Sequence, residues 1–290
     1  MRNSLKLTTI AVLVMSLSAC AVGPDYRAPA KVADININSP YQQAALAQSW
    51  WQAFDDESLN RLIQRALNEN RTLAQARANV DRAYAVFQDV DNDILPKGTL
   101  DAGYQASENA MLQPNNDNVI TRSYSTGANL SWDLDLFGKL RRAAEAAEAQ
   151  AQQADILWRD AQVQLISQVA ISYGEYRGAQ LRLDVSKQNL QNLQQSRDIV
   201  MARLEAGMAS ELELTQIDVQ LHQVNASIPA YRVALLTADA TLSALLAQRP
   251  GQLDLDDVPR LPQLKQPVAV VEGENYLRYR ADVASSERLL

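Results

Sequence analysis

Apolar residues recur every seven positions from Leu59, through Ala66, Leu73 and Val80 to Phe87, with Leu62, Ala76, Ala83 and Val90 in the companion places. A 3.5-residue period is the seam of a coiled coil, so the spacing predicts a helix over 56–94, stopped by Pro96-Lys97-Gly98. The period then switches to two. Apolar and polar residues alternate over 98–108, and again, more clearly, over 120–134. In the second run Tyr124, Thr126, Ala128, Leu130, Trp132 and Leu134 share one face, and Ser123, Ser125, Gly127, Asn129, Ser131 and Asp133 share the other. Two such runs joined by the polar stretch around Pro114-Asn115-Asn116-Asp117 predict a hairpin with unlike faces and a loop rather than a tight turn. Each run reaches the 9–11 or so residues that a transmembrane barrel strand needs, although a hairpin of this kind taken alone is more often an ordinary soluble sheet.

A long helical pattern follows over 137–206, which at 1.5 Å per residue would extend about 105 Å if unbroken. Ala147, Ala151, Ala154, Trp158, Ala161 and Leu165 step by four and three, and Leu183, Leu190, Leu193, Val200 and Leu204 resume the seam. Gly174 and Gly178 weaken its middle, as a bend or as a close helix approach. Gly207 closes this helix, and Ser210 with Glu213 forms a capping box that opens a return helix over 210–248. That return helix has the most regular period in the chain, from Leu214 through Ile217, Leu221, Val224, Ile228, Tyr231, Leu235, Ala238 and Leu242 to Leu245. Pro229 lies inside it and predicts a kink. Arg249-Pro250-Gly251 ends it, a proline-rich crossover follows over 251–290, and a new helical pattern starts near Tyr276. The fold class is mainly α with a β-hairpin: antiparallel coiled-coil helices plus two barrel-like strands.

At the other end, Arg2 and Lys6 precede a short apolar run and then Leu17-Ser18-Ala19-Cys20. The run is too short to span a bilayer and reads as a signal peptide over 1–19. Its last four residues resemble a bacterial lipobox, which makes Cys20 the acceptor of a diacylglycerol and an N-acyl chain. Residues 20–50 carry Gly23-Pro24, Pro29 and Pro40 without a period and read as an extended arm. Cleavage before Cys20 removes Arg2 and Lys6, taking the net charge from −7 to −9.

Composition narrows the function classes. With 27 basic against 34 acidic residues, the chain lacks the basic excess of a nucleic-acid binder. One Cys and one His leave no set of ligands for a zinc-type metal site, and any Ser-His-Asp or Cys-His catalysis would rest wholly on His222. His222 reads as a helix-surface residue. No nucleophile–base pair, phosphate loop or carboxylate constellation marks an enzyme, and no catalytic residue and no cofactor beyond the lipid on Cys20 is assigned.

Several short motifs then fall in order. These are Cys20 with Gly23-Pro24-Asp25-Tyr26 and Pro29; Trp50-Trp51, Phe54, Asp56 and Leu59; and Leu67, Asn70 and Leu73. They continue with Trp132-Asp133-Leu134-Asp135-Leu136-Phe137-Gly138 and Arg142, then Arg203-Leu204, Gly207 and Ser210. Together they resemble the TolC-like outer-membrane factors of tripartite efflux and type I secretion systems, in particular the lipoprotein subset around OprM. The resemblance implies a homotrimer in the outer membrane of a Gram-negative bacterium, its protomers sharing a twelve-stranded barrel continued by a helical barrel into the periplasm. It implies a periplasmic adaptor (membrane fusion) protein and an inner-membrane RND-type transporter as partners, with no nucleic acid. On this reading Ser123, Ser125, Asn129, Ser131 and Asp133 line the lumen, while Tyr124, Leu130 and Trp132 face lipid. Trp132 suits either an interfacial girdle or packing against a neighbouring strand. Asp133 and Asp135 favour the positive end of the long helix, as well as adding negative charge to the duct. Arg203, Leu204, Gly207, Ser210 and Glu211 form the tip that would meet the adaptor. The family protomer carries two tandem repeats, and this sequence holds one, at 51–250, and the opening of a second. The implied readings are a fragment of a longer protein or a truncated, non-conducting product, with the gate residues in the absent repeat. The competing reading is a periplasmic lipid-anchored coiled-coil adaptor or structural lipoprotein.

Overall fold

A computed structural model describes residues 49–109, 119–256, 258, 260–264 and 280–289. The signal peptide, Cys20, nearly all of the arm, the loop of the hairpin and the start of the predicted second repeat near Tyr276 lie outside the described residues. Within them, a 3₁₀ turn at Trp50–Phe54 leads to helices α1 (Glu57–Glu69) and α2 (Arg71–Asp91). A second 3₁₀ turn at Asn92–Ile94 leads to strands β1 (Lys97–Asn109) and β2 (Val119–Ser131). Helix α3 (Lys139–Glu205) and helix α4 (Glu211–Leu245) follow, and a short helix α5 covers Ala281–Glu287. The chain divides into two compact units, one built on Val80–Ala154 and the other on the residues before Val80 together with Asp155–Glu287.

The second unit holds a core of Trp51, Leu59, Leu62, Ile63, Ala66 and Leu73 packed with Leu165, Ile166, Val169, Tyr173, Leu242 and Leu246. The predicted seam supplies it. Leu59, Ala66 and Leu73 are buried in it, as are Leu165 and Leu242, and each seam residue of α4 from Leu214 to Leu245 is buried or half-buried. Helix α3 runs 67 residues through Gly174 and Gly178 without a break, and α4 runs through Pro229 without ending. His222 is exposed on α4, as its place off the seam predicts.

Three predicted elements are corrected. The helix expected over 56–94 is two helices, because Asn70 leaves the helical region at φ −65, ψ 124. Its side-chain oxygen accepts the Leu73 amide at 2.9 Å, while its amide donates to the Leu245 carbonyl at 2.9 Å. Asn70 therefore caps α2 and ties the end of α4 to the break, a local alternative to helix that this side chain offers. The strand expected over 120–134 ends at Ser131, so Trp132 and Asp133 lie beyond it. The third correction is smaller. Residue 50, placed at the end of the extended arm, begins the 3₁₀ turn that lays Trp51 into the core.

Both ends of the helical hairpin are closed as the sequence predicts, with one change. Gly207 has φ 72, the Met208 amide reaches Arg203 O at 2.8 Å, and the Gly207 amide reaches Leu204 O at 2.9 Å, which is the Schellman pattern. The Ser210 hydroxyl accepts the Glu213 amide at 3.3 Å. The expected return bond from Glu213 to the Ser210 backbone is replaced by the Ser210 hydroxyl donating to the Glu213 carboxylate at 3.3 Å. Arg197 and Asp218, 2.6 Å apart, pin α3 to α4 a few turns from this tip.

Asn70→Ala removes a cap and leaves a buried carbonyl without its donor, so it is expected to lower stability by about 1–3 kcal/mol. Asn70→Asp keeps the cap but loses the amide donor, and should still be less stable than the parent. Urea unfolding followed by helical circular dichroism measures both, and parental midpoints in the two variants would refute this role for Asn70.

Candidate functional site

The hairpin pairs antiparallel in unbroken register from Lys97↔Ser131 to Asn109↔Val119. Register and alternation sort its side chains. Leu100, Ala102, Tyr104 and Ala106 share one face with Tyr124, Thr126, Ala128 and Leu130. Thr99, Asp101, Gly103, Gln105 and Ser107 share the other with Thr121, Ser123, Ser125, Gly127, Asn129 and Ser131. The alternation expected for Ser123, Ser125, Asn129 and Ser131 against Tyr124 and Leu130 is therefore present in the fold. On the polar face the two glycines give room for their cross-strand partners. A Cβ on Gly127 would meet the Asp101 carboxylate at 2.6 Å, and one on Gly103 would meet the Ser125 hydroxyl at 2.8 Å.

Among the described residues nothing covers the apolar face. Leu100 is 89% exposed, Tyr124 78% and Leu130 74%. The sheet has two strands, so the outer edge of each is unpaired among the described residues. An uncovered apolar face bounded by two open edges is a liability in water and calls for partners.

At the base of the hairpin, the Trp132 indole donates to the Ile94 carbonyl at 3.1 Å, which ties β2 back to the turn before β1. The bond gives Trp132 a bracing role that its place in the sequence did not announce, and its ring stays exposed, as do Leu134, Leu136 and Phe137. Asp133 accepts the Asp135 amide at 3.3 Å. Asp135 takes the left-handed conformation at φ 44, which turns the chain out of the strand, and Gly138 follows at φ 78. The buried Asp135 carboxylate then accepts the Leu140 amide at 2.9 Å and the Arg141 amide at 3.2 Å, with the Arg141 guanidinium at 3.2 Å. Burial pushes this carboxyl up, but the two amides and Arg141 outweigh it and hold the group below the ordinary carboxylate range. The bonds of Asp135 serve the start of the helix.

The tip residues come together at the far end of the α3–α4 hairpin. Gly207, Ser210 and Glu211 are exposed there, while Leu204 is half-buried and the Arg203 guanidinium donates to the Met208 carbonyl at 3.2 Å. Arg203 thus helps to close the turn. The apolar side chains that the tip offers outward are Met208 and Leu212, both exposed.

The second unit also holds a polar cluster that the sequence pattern does not predict. Arg177 is 1% exposed, and its guanidinium donates to Tyr173 Oη at 3.1 Å, Gln180 Oε1 at 2.9 Å and the carbonyls of Asp256 and Val258 at 2.7 and 3.2 Å. It also pairs with the Asp256 carboxylate. The Tyr173 hydroxyl donates to Asp56 Oδ2 at 2.9 Å, and the other Asp56 oxygen accepts the Leu59 amide at 3.0 Å as the cap of α1. One chain of bonds therefore joins the start of α1, the middle of α3 and the crossover after α4. The Arg177 hydrogen bond holds the Asp256 carboxyl below its usual range, and burial pushes the Tyr173 hydroxyl up. The available signal is spacing: Leu165, Val169, Tyr173 and Arg177 step by four along one buried stripe, which puts a charge where an apolar residue is expected. Among the described residues no His, Cys, Asp and Glu side chains gather as metal ligands.

This combination of an uncovered amphipathic hairpin and a long helical hairpin defines a class. Residues 62–248 match the family model described as outer membrane efflux protein, and the chain belongs to that family, whose place is the outer membrane. Its fold superposes on that of the outer-membrane channel OprN with a TM-score of 0.80 and 34% identity, over 93% of this chain and 62% of that one. The toluene efflux pump outer membrane protein TtgF of Pseudomonas putida is 28% identical over 96% of this chain and 61% of its own. The cation efflux system protein CusC of Escherichia coli K12 has the same identity and coverage. The chain thus spans about 61% of the length of these relatives.

Arg177→Met removes the donors from two carbonyls, a tyrosine and a carboxylate, and should cost about 3 kcal/mol and free the crossover. Limited trypsin digestion reads this as faster cleavage at Arg249 and Arg260, and an unchanged rate would refute the clamp. The depressed Asp256 carboxyl adds stability above its unfolded-state value and loses it as pH falls through the lower folded value. The stability difference between the parent and Asp256→Asn should therefore be constant above about pH 5 and shrink below about pH 4. Urea midpoints of the two proteins across that range measure it.

Proposed function

We propose that this chain forms part of the wall of an outer-membrane efflux channel, through which solutes delivered from the inner membrane leave the cell. The observation that carries the reading is the hairpin, with one uncovered apolar face, one polar face and two open edges. Such strands suit a barrel, where neighbouring strands pair the edges, lipid covers the apolar face and water fills the inside. Tyr124 and Leu130 then face lipid, and Ser123, Ser125, Asn129 and Ser131 face the lumen. Trp132 and Asp133 stand at the periplasmic rim.

The helices support the same reading. Val163, Ile171 and Val185 on α3 and Val219, Val233 and Leu236 on α4 are exposed, which suits packing against further helices of a homotrimer. The tip at Leu204–Glu211 docks the periplasmic adaptor that links the channel to an RND-type pump, with Met208 and Leu212 as its apolar contacts. Cys20, lipidated, adds an anchor in the outer-membrane lipid. The work is conduction, not bond-breaking chemistry. The relatives named for toluene and for cations belong to pumps of different cargo, in keeping with a wide polar duct that leaves selection to the pump.

Single cysteines introduced into the full-length protein with Cys20 retained test the wall. A membrane-impermeant maleimide should label Ser125→Cys and Asn129→Cys in outer-membrane vesicles at least about ten times faster than Tyr124→Cys and Leu130→Cys, given the contrast between water and hydrocarbon on alternate residues. Equal rates on the two faces, or the reverse order, would sink the barrel assignment. For the tip, Met208→Glu with Leu212→Glu should abolish crosslinking to the adaptor and restore drug sensitivity, while channel assembly persists. Retained crosslinking would remove the tip from the interface.

A further inference from the structure

The hairpin also carries a charge on its apolar face. Alternation places Arg122 on the side of Tyr124, Ala128 and Leu130, directly across from Ala106 and one register step from the Glu108↔Ile120 pair. Next to it, Tyr104 and Tyr124 lie opposite each other with ring centroids 5.0 Å apart, tilted by 42°. Both rings are exposed. By register an acidic position of that face, Glu108, comes one step farther out, so the basic and the acidic position both lie beyond the tyrosine pair. Between that pair and the base of the hairpin the face holds only Gly98, Leu100, Ala102, Thr126, Ala128 and Leu130.

This order has a length. From Ser131 to Arg122 is nine residues of strand, about 31 Å at the usual rise. At a barrel tilt of about 40° that gives about 24 Å along the membrane normal, close to the ~25 Å height of an apolar barrel band. A guanidinium on the lipid face is strongly unfavourable at mid-bilayer and close to neutral at the interface. Arg122 therefore marks where hydrocarbon ends, at the loop end of the hairpin, and the tyrosine pair forms the aromatic girdle just inside that line. At that depth the groups that meet a lipid-facing side chain are headgroups, and the planar fork of an arginine matches phosphate oxygens in pairs.

Resting on the barrel reading above, we propose that Arg122, above the Tyr104–Tyr124 pair, is a binding site for the phosphate group of a membrane lipid at the outer interface. The phosphate takes the guanidinium and the acyl chains lie along Tyr124, Ala128 and Leu130. The site fixes the height of the barrel in the bilayer and selects anionic lipid for its annulus.

The test uses the full-length protein reconstituted in phosphatidylcholine bilayers containing trace nitroxide-labelled lipid, where electron spin resonance separates lipid held at the protein surface from bulk lipid. Labelled phosphatidic acid is expected to be held in preference to labelled phosphatidylcholine. The preference should fall by a factor of about two to five in Arg122→Ala and return in part in Arg122→Lys. Inorganic phosphate at matched ionic strength should leave the preference intact, and its abolition would identify a free-anion site and overturn the lipid assignment. An unchanged preference in Arg122→Ala would overturn the inference while the channel reading stands. If no held lipid is seen at all, both fall.

Discussion

Backbone groups left unpaired among the described residues govern how the rest of this protein is read. Along the outer edge of a thirteen-residue strand about every second residue directs its N–H and C=O away from its partner, so each edge of the hairpin offers about twelve polar groups. In hydrocarbon each unsatisfied group costs several kcal/mol, which places the total in the tens for each edge. No side-chain interaction in the hairpin approaches that sum. Beyond the backbone ladder, the tyrosine pair and the tie from Trp132 to Ile94 brace the two strands, and they cannot close a sheet. Among the described residues the edges of the hairpin and the side chains of its apolar face are both left open.

The helical part meets the opposite situation, because helices satisfy their own backbone. What they need is accurate ends, and the polar side chains are concentrated there. Asp135 starts α3, Gly207 with the Schellman bonds ends it, Ser210 starts α4, and Asn70 joins the start of α2 to the end of α4. Arg177 does the same for the crossover, gathering its carbonyls onto α3. Long apolar seams are tolerant of sliding by a heptad, since each layer resembles the next. These end-to-end bonds are specific to one register, and they supply what the repeating seam lacks.

The same distinction explains which features are legible in the sequence. Periodic features are: the seams of α3 and α4, the two faces of the hairpin and the glycine at the tip all follow from repeats or from one residue with a special backbone. Features set by a single long-range bond are not. The heptad runs from Leu59 through Ala66 to Leu73 without interruption, so nothing local announces that Asn70 breaks the helix to reach Leu245. Alternation likewise continues through Trp132 and Leu134, whereas the strand ends at Ser131 and the chain turns at Asp135, in the left-handed conformation, before the next helix. Arg177 lies between these cases. Its position on the buried stripe is visible, but its partners in the crossover, 79 residues and more away, are not.

The position of the transition between strand and helix bears on how the two parts act together. Asp135 accepts two amides and a guanidinium, and these bonds hold its carboxyl below the ordinary range against the opposing effect of burial. The left-handed residue there is an aspartate rather than a glycine, which carries a backbone cost that only its capping bonds offset. A glycine at 135 would relieve the strain and lose the cap; an asparagine would keep the turn and weaken the bond to Arg141. Aspartate is the residue that meets both demands. The segment after β2 is fixed to the first turn of α3 by the same side chain, so the exit from the hairpin determines where the long helix begins.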